Sequence, residues 1–216
     1  MKLINKLTRA SAFCVAACFL PAAQASVMDF TSSSWSAAQG QASHSFWGVT
    51  LSASGTFINP TPAVLTFNGN ACGNATVGLA CAGDGIGIDR TSIPIEDVGE
   101  VGIRELLNVN FGGPVQLQQI DFLNLFAGER LEIRANGTGS WTLLGPSSSQ
   151  TGGYFSSALN PAVFSNVNFL DIRGANLLSD GSLARISYVP VPGTLALLLM
   201  GAMGFYQLRR NKSVSV

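Results

Sequence analysis

The sequence predicts an all-β domain, a sandwich or barrel, set between an N-terminal signal helix and a C-terminal membrane helix. Three observations lead there. Apolar residues alternate with polar ones in short runs such as Trp47–Ser54 and Leu131–Arg134, the period of a half-buried strand. Turn residues punctuate these runs every 8–12 residues or so, roughly the spacing of all-β sandwiches and barrels. No long run with the helical period lies between the two ends of the chain.

The chain opens with Lys2, Lys6 and Arg9, then an apolar run from Ala10 to Leu20, then Pro21 and the small residues of Ala23-Gln24-Ala25. This pattern predicts a secretory signal peptide over residues 1–25, cut before Ser26. Cys14 and Cys18 lie inside it and leave with it. A lipoprotein reading needs a small-residue box directly before a cysteine, and Phe13 and Ala17 stand there instead.

Residues 26–188 have the length of one domain with a full core. They hold six arginines, no lysine and all twelve acidic residues, a net charge of −6. Such a surface offers nucleic acid or anionic lipid no electrostatic attraction. A first short strand is expected near Asp29–Phe30, then a polar loop through Ser32-Ser33-Ser34 to Gln41. Trp47, Val49, Leu51 and Ala53 share one face of the next strand. Leu65 and Phe67 mark another, after the turn Asn59-Pro60-Thr61-Pro62, and Leu107, Val109 and Phe111 a third. Val115 and Leu117 fall on the opposite parity from Ile120 and Phe122, so a bulge near Gln118-Gln119 is expected. Leu131 and Ile133, then Trp141 and Leu143, then Val167–Ile172, then Ala184, Ile186 and Tyr188 complete the inward faces. The separating turns include Gly112-Gly113-Pro114, Ala127-Gly128, Asn136-Gly137, Gly145-Pro146 and Asn160-Pro161. Short helical turns are expected at Ile95–Val98 and Ser156–Leu159.

The chemistry-bearing residues are few. Cys72 and Cys81 sit in one Gly/Ala-rich loop of an exported domain, which points to a disulfide rather than to free or metal-bound thiols. Asp84 and Asp89 bracket Gly85-Ile86-Gly87-Ile88. They can offer oxygen ligands to Ca2+, helped by Glu96, Asp97, Glu100 and Glu105. They equally fit a Gly-rich turn whose Asp side chains bond the backbone. No other cofactor is implied. His44 is the single histidine, and it reads as a surface residue. With one histidine and no exported lysine, acid–base and Schiff-base schemes find no constellation. Asp121 with Glu129 or Glu132 would be the carboxylate pair of a glycosidase, but twelve acidic residues supply such pairs by chance. The domain reads as non-enzymatic. Trp35, Trp47, Trp141 and Tyr154 can stack on sugar rings. Trp47 and Trp141 run in phase with apolar neighbours, which assigns them to the core.

Residues 189–216 close the chain with Val189-Pro190-Val191-Pro192, an apolar run over 194–208, and Arg209-Arg210 in a basic tail. The two prolines remove N–H donors and are expected to stop strand pairing. From Gly193 to Leu208 a helix would reach about 24 Å, short of the ~30 Å hydrocarbon core, with the arginines held on the cytoplasmic side. The alternative is a buried C-terminal helix of a soluble domain. The order Val-Pro-x-Pro, apolar helix, Arg-Arg resembles the sorting signal of PEP-CTERM proteins, the substrates of exosortases. Val191 stands where that family usually has Glu. The segment from Asp84 to Phe126 is similar to the middle of many proteins with this tail. The resemblance implies a jelly-roll-like sandwich of unassigned function. It also implies an inner-membrane anchor, cleavage near Val189–Gly193 by an exosortase, and delivery to the cell surface or extracellular polysaccharide. A carbohydrate-binding module, Ca2+-stabilised through Asp84 and Asp89, is the second reading.

Overall fold

Nineteen consecutive residues, Glu105–Leu123, form one strand with four partners, and the rest of the domain is arranged along it. A computed structural model describes residues 24–55, 63–67, 85–89, 100–102, 105–146, 153–176, 179 and 181–191. Within them the chain is mostly strand with almost no helix, and every pairing is antiparallel. In chain order the strands are β1 (Ser26–Asp29), β2 (Ser43–Phe46), β3 (Val49–Gly55), β4 (Val64–Phe67), β5 (Ile86–Asp89) and β6 (Glu105–Leu123). They continue with β7 (Leu131–Ala135), β8 (Thr142–Leu144), β9 (Tyr154–Ala158), β10 (Val167–Gly174) and β11 (Ser182–Pro190).

The first half of β6 pairs with β3 from Glu105 to Asn110 and with β10 from Leu107 to Asn110. The second half pairs with β11 from Val115 to Leu123 and with β9 from Gln119 to Leu123. The sheet thus has two arms. One runs β2-β3-β6-β10-β7-β8, and the other carries β9, β6, β11, then β1 and β5-β4. Between them lies Phe111-Gly112-Gly113-Pro114, which the sequence marks as a turn and which is instead a corner inside a continuous strand. Gly112 adopts a φ of +68°, and a Cβ there would lie 2.8 Å from the Gly48 carbonyl oxygen. Only glycine meets both conditions. The Gly112 N–H donates to Asn110 Oδ1 at 2.9 Å, which holds the bend.

The alternation expected of β6 is present on both sides of the corner. Leu107, Val109 and Phe111, then Val115, Leu117 and Ile120, are buried. The expected bulge falls at Gln118: Ser187 faces Gln119 and Tyr188 faces Leu117, leaving Gln118 unopposed. Residues of both arms, among them Leu51, Leu107, Ile133, Leu170, Leu65, Ile88 and Ile186, fall in one core cluster.

Several expectations are corrected. Ser156–Leu159 is no helical turn, because β9 occupies Tyr154–Ala158 and pairs with the edge of β6. Trp47 does not join the core. It is 84% exposed at the tip of the β2–β3 hairpin, where Phe46 faces Val49. Trp47 and Gly48 have φ of +50° and +79°, the signature of a two-residue type I′ turn. Trp35 takes the core place instead. The Ser-rich stretch after β1 winds into a 3-10 turn over Ser33–Ala38, with Ser32 as its N-cap. That turn buries Trp35 against Phe30 (5.0 Å between ring centroids), Phe46 (5.5 Å) and His44 (5.8 Å). Leu143 is exposed and Leu144 buried, because β8 meets β7 with Leu144 opposite the inward Leu131.

Strand β11 also runs farther than the prolines suggest. Val189 faces Gln116 and Pro190 faces Val115, and the Val191 N–H donates to the Pro114 carbonyl at 2.9 Å. A terminal proline on the strand end forfeits one donor without breaking the ladder. Residues 1–23 of the signal peptide, Cys72, Cys81, Asp84, Ile95–Val98, Pro192, the apolar run 194–208 and Arg209-Arg210 lie outside the described residues. Among the described residues no helix is long and apolar enough to cross a membrane.

Near the end of β11, Tyr188 packs on Phe111 with ring centroids 5.4 Å apart. Burial pushes its phenol pKa up from the ordinary value of 10.0, because desolvation disfavours the phenolate. Above pH 10 the unfolded chain therefore loses this proton first, and folding stability falls as pH rises through the folded pKa. Urea melts between pH 9 and 11.5 are expected to show a steep alkaline loss of stability, and Tyr188→Phe is expected to shallow that slope.

Candidate functional site

The outward face of the first arm carries a cross-strand row of polar side chains. Alternation along each strand sends Leu51, Val109, Leu170 and Ile133 to the core and leaves their neighbours outside. The register places Ser43 of β2 opposite Ser52 of β3, Ser52 opposite Asn108 of β6, Asn108 opposite Asp171 of β10, and Asp171 opposite Arg134 of β7. Asp171 joins the row chemically. Its Oδ1 accepts from Asn108 Nδ2 at 2.9 Å, and its Oδ2 accepts from Arg134 Nη2 at 3.0 Å. One step along, Arg173 Nε and Nη2 both donate to Glu132 Oε2, at 3.0 and 2.8 Å. Trp141, assigned by its phase to the core, is instead half-buried on this outward face, and its ring meets both cations, with the Arg173 guanidinium carbon 3.9 Å and that of Arg134 4.3 Å from its centroid.

Two cations, two carboxylates and one indole therefore form a patch with no net charge. Cation–π contacts gain from partial desolvation, up to ~2 kcal/mol each. Arg134 Nε is buried with no hydrogen-bond partner in the structure. The turn beside the patch is held by Asn136-Gly137, with φ of +54° and +65°. Asn136 Oδ1 accepts from the Asn168 N–H at 2.8 Å, and its Nδ2 donates to the Asn166 carbonyl at 3.0 Å. That latch ties the β7–β8 connection to the start of β10 and so fixes Trp141 over the row.

The outward face of the second arm is organised around a different ion pair. Asp121 is fully buried and accepts from Arg185 Nε, whose side chain is 17% exposed. Gln119 Nε2 donates to Asp121 Oδ1 at 2.9 Å and meets Ser156 Oγ at 3.0 Å. Burial works against the Arg185 charge, but the hydrogen bond and charge of Asp121, with help from Tyr154, outweigh it and raise its pKa. The carboxylates considered for a glycosidase are thus engaged separately. Asp121 holds Arg185 on one arm and Glu132 holds Arg173 on the other. Glu129 Oε2 accepts from the Phe126 N–H at 2.5 Å in the turn between β6 and β7. Glu105 likewise serves a turn, accepting from the Gly102 N–H at 2.8 Å.

Of the residues marked in the sequence, Val189, Pro190 and Val191 sit together at the end of β11, beside the β6 corner. Asp89 closes β5 opposite Val64 and is half-buried. Among the described residues no three His, Cys, Asp or Glu side chains gather as a metal site. The residues missed are Asn108, Arg134, Asp171 and Arg173. Their outward parity in Leu107-Asn108-Val109, Ile133-Arg134 and Asp171-Ile172-Arg173 was readable. The register that brings them together was not.

No family model and no curated protein matches the chain. A search of solved structures finds the family 32 carbohydrate-binding module from C. perfringens NanJ in complex with galactose, 14% identical, covering 66% of this chain and 93% of that one, with a TM-score of 0.31. A likeness at that level carries no argument about fold or function.

Truncating one member of a buried ion pair strands the other. Asp121→Ala is expected to cost about 3–5 kcal/mol in urea unfolding. The double variant Asp121→Leu/Arg185→Met is expected to recover much of that loss.

Proposed function

We propose that this chain is an exported, non-enzymatic surface protein whose β domain binds neutral polysaccharide on the outward face of the first arm. The observation that carries this reading is the Ser43–Ser52–Asn108–Asp171–Arg134 row with Trp141 against its end. A sugar ring offers hydroxyls at its edge and C–H groups on its faces. Ranked donors and acceptors beside an indole match both, and few polar groups beside an apolar surface are what orient a ligand. The absence of net charge in the patch favours a neutral glycan over a polyanion. The shared core of the two arms and the corner at Gly112–Pro114 support the jelly-roll-like sandwich, since strands that bend at bulges and corners connect packed sheets.

The sorting half of the proposal rests on the sequence: a leader over 1–25, the domain over 26–188, and Val-Pro-Val-Pro, apolar run and Arg209-Arg210 over 189–216. On this reading an exosortase-type transpeptidase releases the domain from its inner-membrane anchor, and the released domain enters the cell surface or polysaccharide matrix. The β11 pairing favours a cut beyond Val191. A cut before Pro190 would require the last pairs with Gln116 and Val115 to open, whereas one beyond Val191 leaves them closed.

The test uses protein from its own cells. Intact mass is expected to run from Ser26 to the neighbourhood of Pro192, in the extracellular fraction. Titration with the host's polysaccharide is expected to show binding that Trp141→Ala weakens about tenfold or more, as loss of a stacking aromatic of ~1.4 kcal/mol would. A mass reaching Val216 in the inner membrane would remove the processing step. Absence of binding by any purified matrix fraction would remove the polysaccharide.

A further inference from the structure

Among the described residues Trp47, at the hairpin tip, is the most exposed of the large apolar side chains, at 84% against 51–59% for Val27, Phe126, Leu143 and Val163. Phe126 and Leu143 lie at the end of the domain where β6 leaves for β7 and β8 meets Leu131. Trp47 lies at the opposite end, on a type I′ turn whose first position favours Asn, Asp or Gly. Its φ of +50° is one that bulky side chains rarely take. The largest side chain in the repertoire thus occupies a strained position and faces outward.

That end is also where the chain leaves the domain. The Gly48 carbonyl oxygen abuts Gly112, and two residues on, the Pro114 carbonyl accepts from the Val191 N–H at 2.9 Å. From Val191 to Thr194, where the apolar run begins, three residues span at most about 11 Å. A run inserted in lipid therefore holds this end of the domain near the headgroups, which occupy roughly 5–7 Å on each side of the hydrocarbon.

The described segments at this end carry no charged side chain. Phe46–Thr50, Asn110–Gln119, Asn136–Ser140, Asn160–Leu170 and Ile186–Val191 contain no Asp, Glu, Lys or Arg. The acidic and basic side chains of the described residues lie on the arms and at the other end, as in Asp29, Glu105, Asp121, Glu129–Arg134, Asp171, Arg173 and Arg185. Approach to a membrane strips water from whatever faces it. An uncharged end avoids the desolvation that buried charges incur, and Trp prefers the headgroup zone.

We propose that Trp47 is a membrane-interface anchor that docks the domain, corner end down, on the lipid surface into which residues 194–208 insert. The inference rests on the membrane-tethered stage of the proposed itinerary. It requires no attraction between the domain's negative charge and lipid, because the tether supplies the proximity and the indole the contact.

The experiment uses the full chain with its signal peptide removed by the host, reconstituted in phosphatidylcholine vesicles with and without lipid brominated near the top of the acyl chain. Flotation reports the tether and tryptophan emission reports the contact. The wild-type chain is expected to float and to lose emission on the brominated lipid. Trp47→Asn is expected to float equally, to melt close to the wild-type temperature because Asn-Gly suits the turn while the Phe46–Trp47 ring contact is lost, and to lose most of the bromine quenching. A floating wild-type chain without quenching, or quenching undiminished in Trp47→Asn, would overturn the anchor while leaving the tether intact. A chain that does not float would remove the tether, and this proposal with it. Protection of Trp47 from acrylamide by polysaccharide, without bromine quenching, would make the residue a sugar contact and overturn the membrane reading.

Discussion

A strand has two edges, and β6 needs room on them for four partners. It meets this constraint by length. Thr50 and Phe169 flank Asn110, while Pro190 and Val167 flank Val115. So β3 and β11 follow one another along one edge, and β10 and β9 along the other. The four residues between the two sets must turn the strand without ending it. Gly112 supplies the left-handed φ and the missing Cβ, Asn110 caps its N–H, and Pro114 contributes its carbonyl to Val191. A side chain at Gly112 would collide with the Gly48 backbone. The collision would push the Trp47 hairpin off the corner and loosen both arms at once.

The corner also decides which faces are available. Because both arms send alternate residues to one core, each has one outward face, and the two are furnished differently. The second arm closes Asp121, Arg185, Gln119 and Ser156 into a network about a fully buried carboxylate. Such a network fixes one geometry and offers little to a ligand. On the first arm, Asp171 and Glu132 pair with Arg134 and Arg173, and the two guanidinium groups meet Trp141. The serines and Asn108 continue that face toward β2. A neutral, hydrogen-bonding surface with one aromatic is held in place by the Asn136 latch rather than by ligand.

Period-two alternation was enough to read the all-β class and most strands of this domain. It also located the bulge at Gln118, because one extra residue is what moves an apolar run from one parity to the other while its side chains stay on the same face. It failed where local chemistry and tertiary context disagree. Gly112-Gly113-Pro114 carries every mark of a turn, yet the strand continues through it because partners exist on both sides. Trp47 is in phase with Val49 and Leu51, but the two-residue turn at Trp47-Gly48 rotates it out of the ladder. Trp35 sits among serines with no period to announce it, and is buried by a 3-10 turn whose core face is made by Trp35 and Ala38. Of the outward patch, the residue types and their parity were legible. The row was not, since strand order along β6 joins residues as far apart as Ser43 and Asp171.

Stability and use pull in different directions at the corner end. Phe111, Tyr188, Phe46 and Trp35 bury aromatic surface there, and a hairpin tip of Asn-Gly would complete the same packing with less backbone strain. The exposed indole meets that packing at its margin, with its ring centroid 6.0 Å from that of Phe46. Residues held in strained conformations persist where the surrounding structure over-determines them, and such residues cluster at sites of use. The ladder from Phe46–Val49 and the close approach of Gly48 to Gly112 provide that over-determination. The turn can therefore carry a side chain chosen for what lies outside the domain, at the point where the chain departs toward its apolar run.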